Sequence, residues 1–76
     1  MKLVNKLSFI QIQKELLGKR ARFKSDCEFF PKFDVMGRVT KCYVTNGETI
    51  LEVLTLNNRQ IKIGSKIKNI RYELLN

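Results

Sequence analysis

The sequence predicts a small, mainly β domain of the α+β kind, in which one N-terminal helix precedes about five short antiparallel strands. A well-capped stretch with helical spacing lies near the N-terminus, and from Gly18 onward the apolar period changes from helical to alternating. Asn46-Gly47 then sits between two alternating runs, a strong signal for a two-residue hairpin turn because both residues tolerate positive φ. At 76 residues the chain makes a single domain, 1–76, with a core too small to stabilise it by a wide margin.

The helix is expected from about Ser8 to Leu17. Ser8 is suited to cap it, with Gln11 three residues on completing a capping box, and Leu7 and Ile12 are placed as a hydrophobic staple. Phe9, Ile12 and Leu16 share one face, which reads as core. Gly18 follows where a left-handed residue is wanted. Residues 2 to 7 either extend the helix or form a short strand, and the pattern leaves both open.

The first strand is the run Arg20–Lys24. Alternation points Ala21 and Phe23 inward and lines Arg20, Arg22 and Lys24 along the outside. A loop rich in aromatics and acids follows, Asp26-Cys27-Glu28-Phe29-Phe30-Pro31-Lys32-Phe33-Asp34. The second strand is expected from about Val35 to Thr45. The Asn46-Gly47 turn sets Thr45 opposite Glu48, Tyr43 opposite Ile50, Cys42 opposite Leu51, Lys41 opposite Glu52 and Val39 opposite Leu54. Neither face of that hairpin is cleanly apolar, so it either bends to switch its core face or is covered on both sides. A second hairpin turning at Asn58-Arg59 would set Leu56 against Ile61 and Leu54 against Ile63. Gly64-Ser65 breaks the strand, Ile67 and Ile70 bracket a short turn, and residues 71–75 close the domain.

From Gly18 to Leu75 this arrangement resembles an SH3-like small barrel of the KOW, Tudor and chromo-barrel type. The features that carry it are the strand ending at Ser25, the loop 26–34, Gly37-Arg38-Val39 opening a long hairpin, and Ile61-Lys62-Ile63-Gly64 leading to a last strand. The resemblance implies a five-stranded SH3-like antiparallel barrel in which the first and last strands are neighbours. Such barrels bind nucleic acids, peptides or proteins, so the fold leaves function open. Tryptophan, usual on the groove of peptide-binding SH3 domains, is absent. A Tudor-type cage for methylated lysine has only Tyr43, Tyr72 and the loop phenylalanines to draw on.

Fifteen Lys and Arg against seven Asp and Glu give a formal charge of +8, which favours a polyanionic partner. Histidine is absent, which removes the usual general base near neutral pH, the commonest metal ligand and any Ser-His or Cys-His pair. No Gly-rich phosphate loop or metal-ligand spacing appears, so the chain reads as non-enzymatic, without cofactor or metal. Cys27 and Cys42 are too few for a disulfide scaffold and read as free thiols in a reducing cytoplasm. Cys42 reads as a small buried hydrophobe. With no signal peptide and no apolar run of ~20 residues, the expected location is cytoplasmic, away from the membrane.

The candidate nucleic-acid-binding residues are Arg20, Arg22 and Lys24, joined by Lys62, Lys66, Lys68 and Arg71 if the first and last strands are neighbours. A row of like charges on one strand face costs folding energy, and a polyanion would reward it. The same row also reads as a plain solvated face. Phe29, Phe30 and Phe33 either plug one end of the barrel or anchor a protein partner, and the flanking Asp26, Glu28 and Asp34 suit a protein better than phosphate. The sequence therefore favours a basic domain that binds DNA or RNA non-specifically through the phosphate backbone. The alternative is a protein-interaction or accessory module, of the sort carried by a phage or mobile element, working through the 26–34 loop or the helix face. A third reading is a subunit that buries its charge within a larger assembly.

Overall fold

A computed structural model describes residues 2–25, 32–66 and 69–75. Its first element is a two-residue strand, β1 (Lys2–Leu3), followed by a 3-10 turn over Val4–Lys6. Helix α1 (Phe9–Leu16) begins where the cap chemistry places it. The Ser8 Oγ accepts from the Gln11 backbone N–H at 3.2 Å, and the Gln11 Oε1 accepts from the Ser8 N–H at 2.8 Å. Two of the donors that a helix start leaves without partners are thereby satisfied. Leu17 turns the chain to extended backbone, and Gly18 follows with a φ of 79°. The Gly18 N–H then donates to the Val39 carbonyl at 2.8 Å, so the helix end is hooked directly onto the sheet. Ile12 and Leu16 are buried, and Phe9 is half-buried.

The strands are β2 (Arg20–Ser25), β3 (Phe33–Thr45), β4 (Glu48–Thr55), β5 (Gln60–Gly64) and β6 (Ile70–Leu74). They form one antiparallel sheet in the order β1-β6-β2-β3-β4-β5. The expected mainly β architecture with one helix is present, but the sheet has six strands and does not close by a ladder between β1 and β5. The extra strand is β1, which pairs Lys2 with Tyr72 and Leu3 with Arg71. The two edges meet at a corner instead. The Asn5 Nδ2 donates to the Ser65 carbonyl at 3.0 Å, and its Oδ1 accepts from the Ile70 N–H at 2.8 Å. One side chain thus ties the residue after β5 to the first residue of β6.

The Asn46-Gly47 hairpin has the expected register from Thr45–Glu48 to Lys41–Glu52. Beyond that point Val39 faces Val53, not Leu54, because a bulge between Val39 and Lys41 gives β3 one extra residue. The insertion changes which residues point inward. Val35, Gly37 and Val39 line the core side before it, and Cys42, opposite Leu51, does so after it. A strand alternates with a period of two, so only a bulge lets both sets share a face.

The second hairpin corrects the expected pairing by three residues. Leu51 faces Ile63, Val53 faces Ile61, and Leu54 faces Gln60. That register pairs the buried Leu51 and Val53 with Ile63 and Ile61, whereas the expected one would have put Leu54 and Leu56 there. The turn is correspondingly longer, with Asn58 at a φ of 60°, the Thr55 N–H donating to the Arg59 carbonyl, and Leu56 left 72% exposed. The 26–34 loop also ends sooner than expected, since β3 begins at Phe33, opposite Ser25.

The core lies on one side of the sheet. Ala21, Phe23, Val39, Val53 and Ile70 are fully buried with Ile12 and Leu16 of the helix. Tyr72, only 2% exposed, donates its hydroxyl to the Glu15 carboxylate of α1. Burial first, and then this partner, push its phenol up to about 12.

Two glycines in β3 and its turn are required for different reasons. A Cβ at Gly37 would lie 2.3 Å from the Leu54 backbone oxygen and 2.8 Å from a Val53 methyl, whereas one at Gly47 would meet nothing within 4 Å but would sit at a φ of 72°. Gly47→Ala should therefore cost about 1–2 kcal/mol, the ordinary penalty of a left-handed conformation. Gly37→Ala must move backbone and should reach or exceed the ~1–3 kcal/mol typical of overpacking. Urea denaturation of both variants checks this, and a Gly47→Ala midpoint lower than that of Gly37→Ala would refute the close approach of β3 and β4.

The Tyr72 phenol titrates above the ~10 of an unfolded tyrosine, so its stabilising contribution is complete below about pH 10. That contribution is lost as the pH rises through about 12. Spectrophotometric titration should show a tyrosinate step near that pH, and Tyr72→Phe should abolish the step and flatten the alkaline fall in stability.

Candidate nucleic-acid interface

With the helix on the core side, the opposite face of the sheet is left to β2 and its neighbours. Along β2 the burial alternates as the sequence predicts. Ala21, Phe23 and Ser25 are buried, Arg20 is exposed, and Arg22 and Lys24 are half-exposed. Arg20 and Lys24 are four residues apart, which at ~3.3 Å per residue separates them by about 13 Å along the strand.

Ladder register decides what stands beside each of these cations. Lys24 is opposite Arg71 on β6, and Arg20 is opposite Arg38 on β3. Directly opposed residues have Cβ atoms ~4.5–5.5 Å apart, so each pair brings two positive side chains into proximity. Between them Arg22 is opposite Glu73 on β6 and Met36 on β3. Its guanidinium reaches diagonally to Asp34, with Nε to Oδ1 at 2.8 Å and Nη2 to Oδ2 at 2.6 Å. The pair is open to water, the two side chains being 39% and 44% exposed.

The hydrogen bonds from Arg22 hold the Asp34 carboxyl below its ordinary value, and the positive charges of Arg22 and Lys24 act in the same direction, against an opposing effect of desolvation. The partner effect raises the Arg22 guanidinium, chiefly through the same hydrogen bonds. A depressed carboxyl contributes stability above its unfolded pKa and loses it as the pH falls through the lowered folded value. Asp34 is therefore an anion throughout the neutral range.

Arg38 belongs to this face as well, although the sequence marks it only as part of the Gly37-Arg38-Val39 opening of a hairpin. It alternates with the buried Gly37 and Val39, the same signal that marks Arg20, Arg22 and Lys24. One of its nitrogens, Nη1, donates to the Gly18 carbonyl at 2.8 Å, which leaves other guanidinium donors available. Arg20 and Arg38 border a shallow depression of about 360 Å³ with Leu54, Thr55, Leu56 and Asn58.

The second basic group does not join as one surface. Arg71 lies beside Lys24, so the expected adjacency of first and last strands brings those two together. Lys62 sits on β5, separated from β2 by β3 and β4, and it faces Glu52, whose other neighbour is Lys41. Lys66 is exposed in the turn after β5, and its backbone N–H donates to the Glu48 carboxylate at 2.9 Å. Lys68, Phe29 and Phe30 lie outside the described residues, as do Asp26, Cys27 and Glu28. Phe33 is half-buried and packs against the core. Cys42 is also half-buried and packs on the core, and burial pushes its thiol up.

Among the described residues no three acidic or cysteine side chains are placed to hold a metal ion. Nor is any helix among them long and apolar enough to cross a membrane. The molecule is thus a small, mainly β protein with its helix and core on one side of an antiparallel sheet and a strongly basic strand exposed on the other. No protein-family model, curated protein or solved structure matches the chain.

The Arg22–Asp34 geometry sets a direct test. In carbon-detected NMR titration the Asp34 carboxyl should titrate below the ordinary aspartate range, and Arg22→Gln should raise it back toward that range. An Asp34 midpoint unmoved by Arg22→Gln would show that the pair is not formed.

Proposed function

We propose that this chain is a small, non-enzymatic basic domain of the SH3-like type that binds nucleic acid in the cytoplasm through phosphate contacts, without reading base sequence. The succession β6-β2-β3-β4-β5, with β2 beside β6 as the first and last strands of such a barrel would be, supports the SH3-like reading. The observation that carries the binding reading is the pair of like-charge neighbours, Arg20 with Arg38 and Lys24 with Arg71. Like charges directly opposite one another destabilise a sheet. Exposed phosphate oxygens would turn that repulsion into attraction and release counterions from the nucleic acid. Arg suits this role because its planar fork matches phosphate geometry, and Lys supplies a compact point charge.

Phosphate contacts fix position and carry no sequence information directly, so affinity should vary little between mixed-sequence oligonucleotides. Fluorescence anisotropy across a salt series should give a linear fall of log K with log salt. Changing any one of Arg20, Lys24, Arg38 or Arg71 to Gln removes one phosphate partner, and each change should flatten the slope by about 0.9 on duplex DNA and about 0.7 on single strands. The weakening should be similar for every sequence tested, with the thermal transition retained. Absence of binding by the parent protein even at low salt would overturn the proposal in favour of a protein-interaction module.

A further inference from the structure

Arg22 is the middle cation of β2, yet its guanidinium is already engaged. Asp34 presents two oxygens to Nε and Nη2 in the side-on fork that a phosphate would use. The same Asp34 is the direct cross-strand neighbour of Lys24, so one carboxylate stands against two of the three outward cations of the strand. The pair is open to water, which screens even a two-point contact, and exposed pairs typically contribute only modestly to stability. Its engagement of the central Arg22 beside Lys24 bears directly on what that face can bind.

We infer that Asp34 is a built-in competitor for phosphate at Arg22, which also offsets the neighbouring Lys24, leaves Arg20 with Arg38 as the cationic end clear of it, and limits the affinity of the face for nucleic acid. The inference rests on the reading of this face as a phosphate-binding surface. A backbone phosphate approaching Arg22 must either displace the Asp34 carboxylate or pass to Arg20 and Arg38, Arg20 lying about 13 Å along the strand from Lys24. Glu73, opposite Arg22 on β6, adds a second negative group at the centre. Asp34 remains ionised through the neutral range, so the competition is a fixed property of the surface there rather than a switch.

The experiment is a cycle of Asp34→Asn and Arg22→Gln, read by anisotropy with a mixed-sequence DNA duplex at low salt and across a salt series. Asp34→Asn should bind on the order of tenfold more tightly at about 50 mM salt and steepen the slope by about 0.9, the signature of one added phosphate contact. Asp34→Ala, which offers Arg22 no acceptor, should gain at least as much. In the Arg22→Gln background Asp34→Asn should recover only a small part of that gain. Circular dichroism and a thermal melt establish that each variant is folded. Equal gains in the two backgrounds would show a general charge effect and overturn the inference, as would an unchanged Asp34→Asn affinity in a protein that does bind. If the parent protein binds at no salt concentration, the phosphate-binding reading itself fails and this inference with it.

Discussion

Much of this structure depends on one extra residue in β3. Thr40 lies in the bulge between Val39 and Lys41, and it lets one long strand present core-facing side chains to two neighbours that would otherwise demand opposite alternation. Before the bulge the inward positions are odd-numbered, matching Ala21 and Phe23 of β2 through the β2–β3 ladder. After it the inward position is Cys42, matching Leu51 of β4. The same shift turns both Arg38 and Lys41 outward although their numbers differ in parity. Polar side chains pin the bulge. The Thr40 Oγ1 donates to the Glu52 carbonyl at 3.2 Å and accepts from the Gln60 Nε2 at 3.0 Å, which joins β3, β4 and β5 at this point.

Given that strand, the N-terminal segment accounts for the one-sidedness of the molecule. Gly18 is hydrogen-bonded to Val39, immediately before the bulge, and the Lys19 carbonyl accepts from the Val39 N–H at 3.0 Å. Helix α1 is therefore brought onto the core side of the same strand, where Ile12 and Leu16 complete the apolar cluster. Asn5 holds the ends of β5 and β6 together at the corner where the sheet does not close. The consequence is a face covered by a helix and an opposite face with no element of its own packed over β2 among the described residues.

That uncovered face concentrates charge in an uneven way. A like-charge pair lies at each end, Arg20 with Arg38 and Lys24 with Arg71, and Asp34, opposite Lys24, neutralises the arginine between them. A uniform cationic row would repel itself along its whole length, whereas here Asp34 offsets Arg22 and the neighbouring Lys24, and Arg20 with Arg38 is left without a carboxylate opposite. Charge excess alone describes neither feature, because both depend on which residues the ladders set opposite one another.

Local chemistry was enough to read the helix, its cap at Ser8, the alternation of Arg20–Lys24 and the Asn46-Gly47 turn. Each depends on contacts within a few residues: a side chain bonding to its own helix start, a period of two, a pair of residues at ease with positive φ. The pairs nearest that turn, from Thr45 with Glu48 to Lys41 with Glu52, followed from its length alone. What the sequence could not show was set by competition between distant segments. The bulge exists because β3 must satisfy β2 and β4 together. The second hairpin takes a longer turn because burying Leu51 and Val53 against Ile63 and Ile61 outweighs keeping Leu56 within a strand. Lys2–Leu3 became a sixth strand because the β6 edge was available to it. At the candidate site, the outward direction of the cations was legible, but their partners were not. Asp34 against Arg22, Arg38 beside Arg20 and Arg71 beside Lys24 are matters of register, and register is decided only when the whole sheet packs its core.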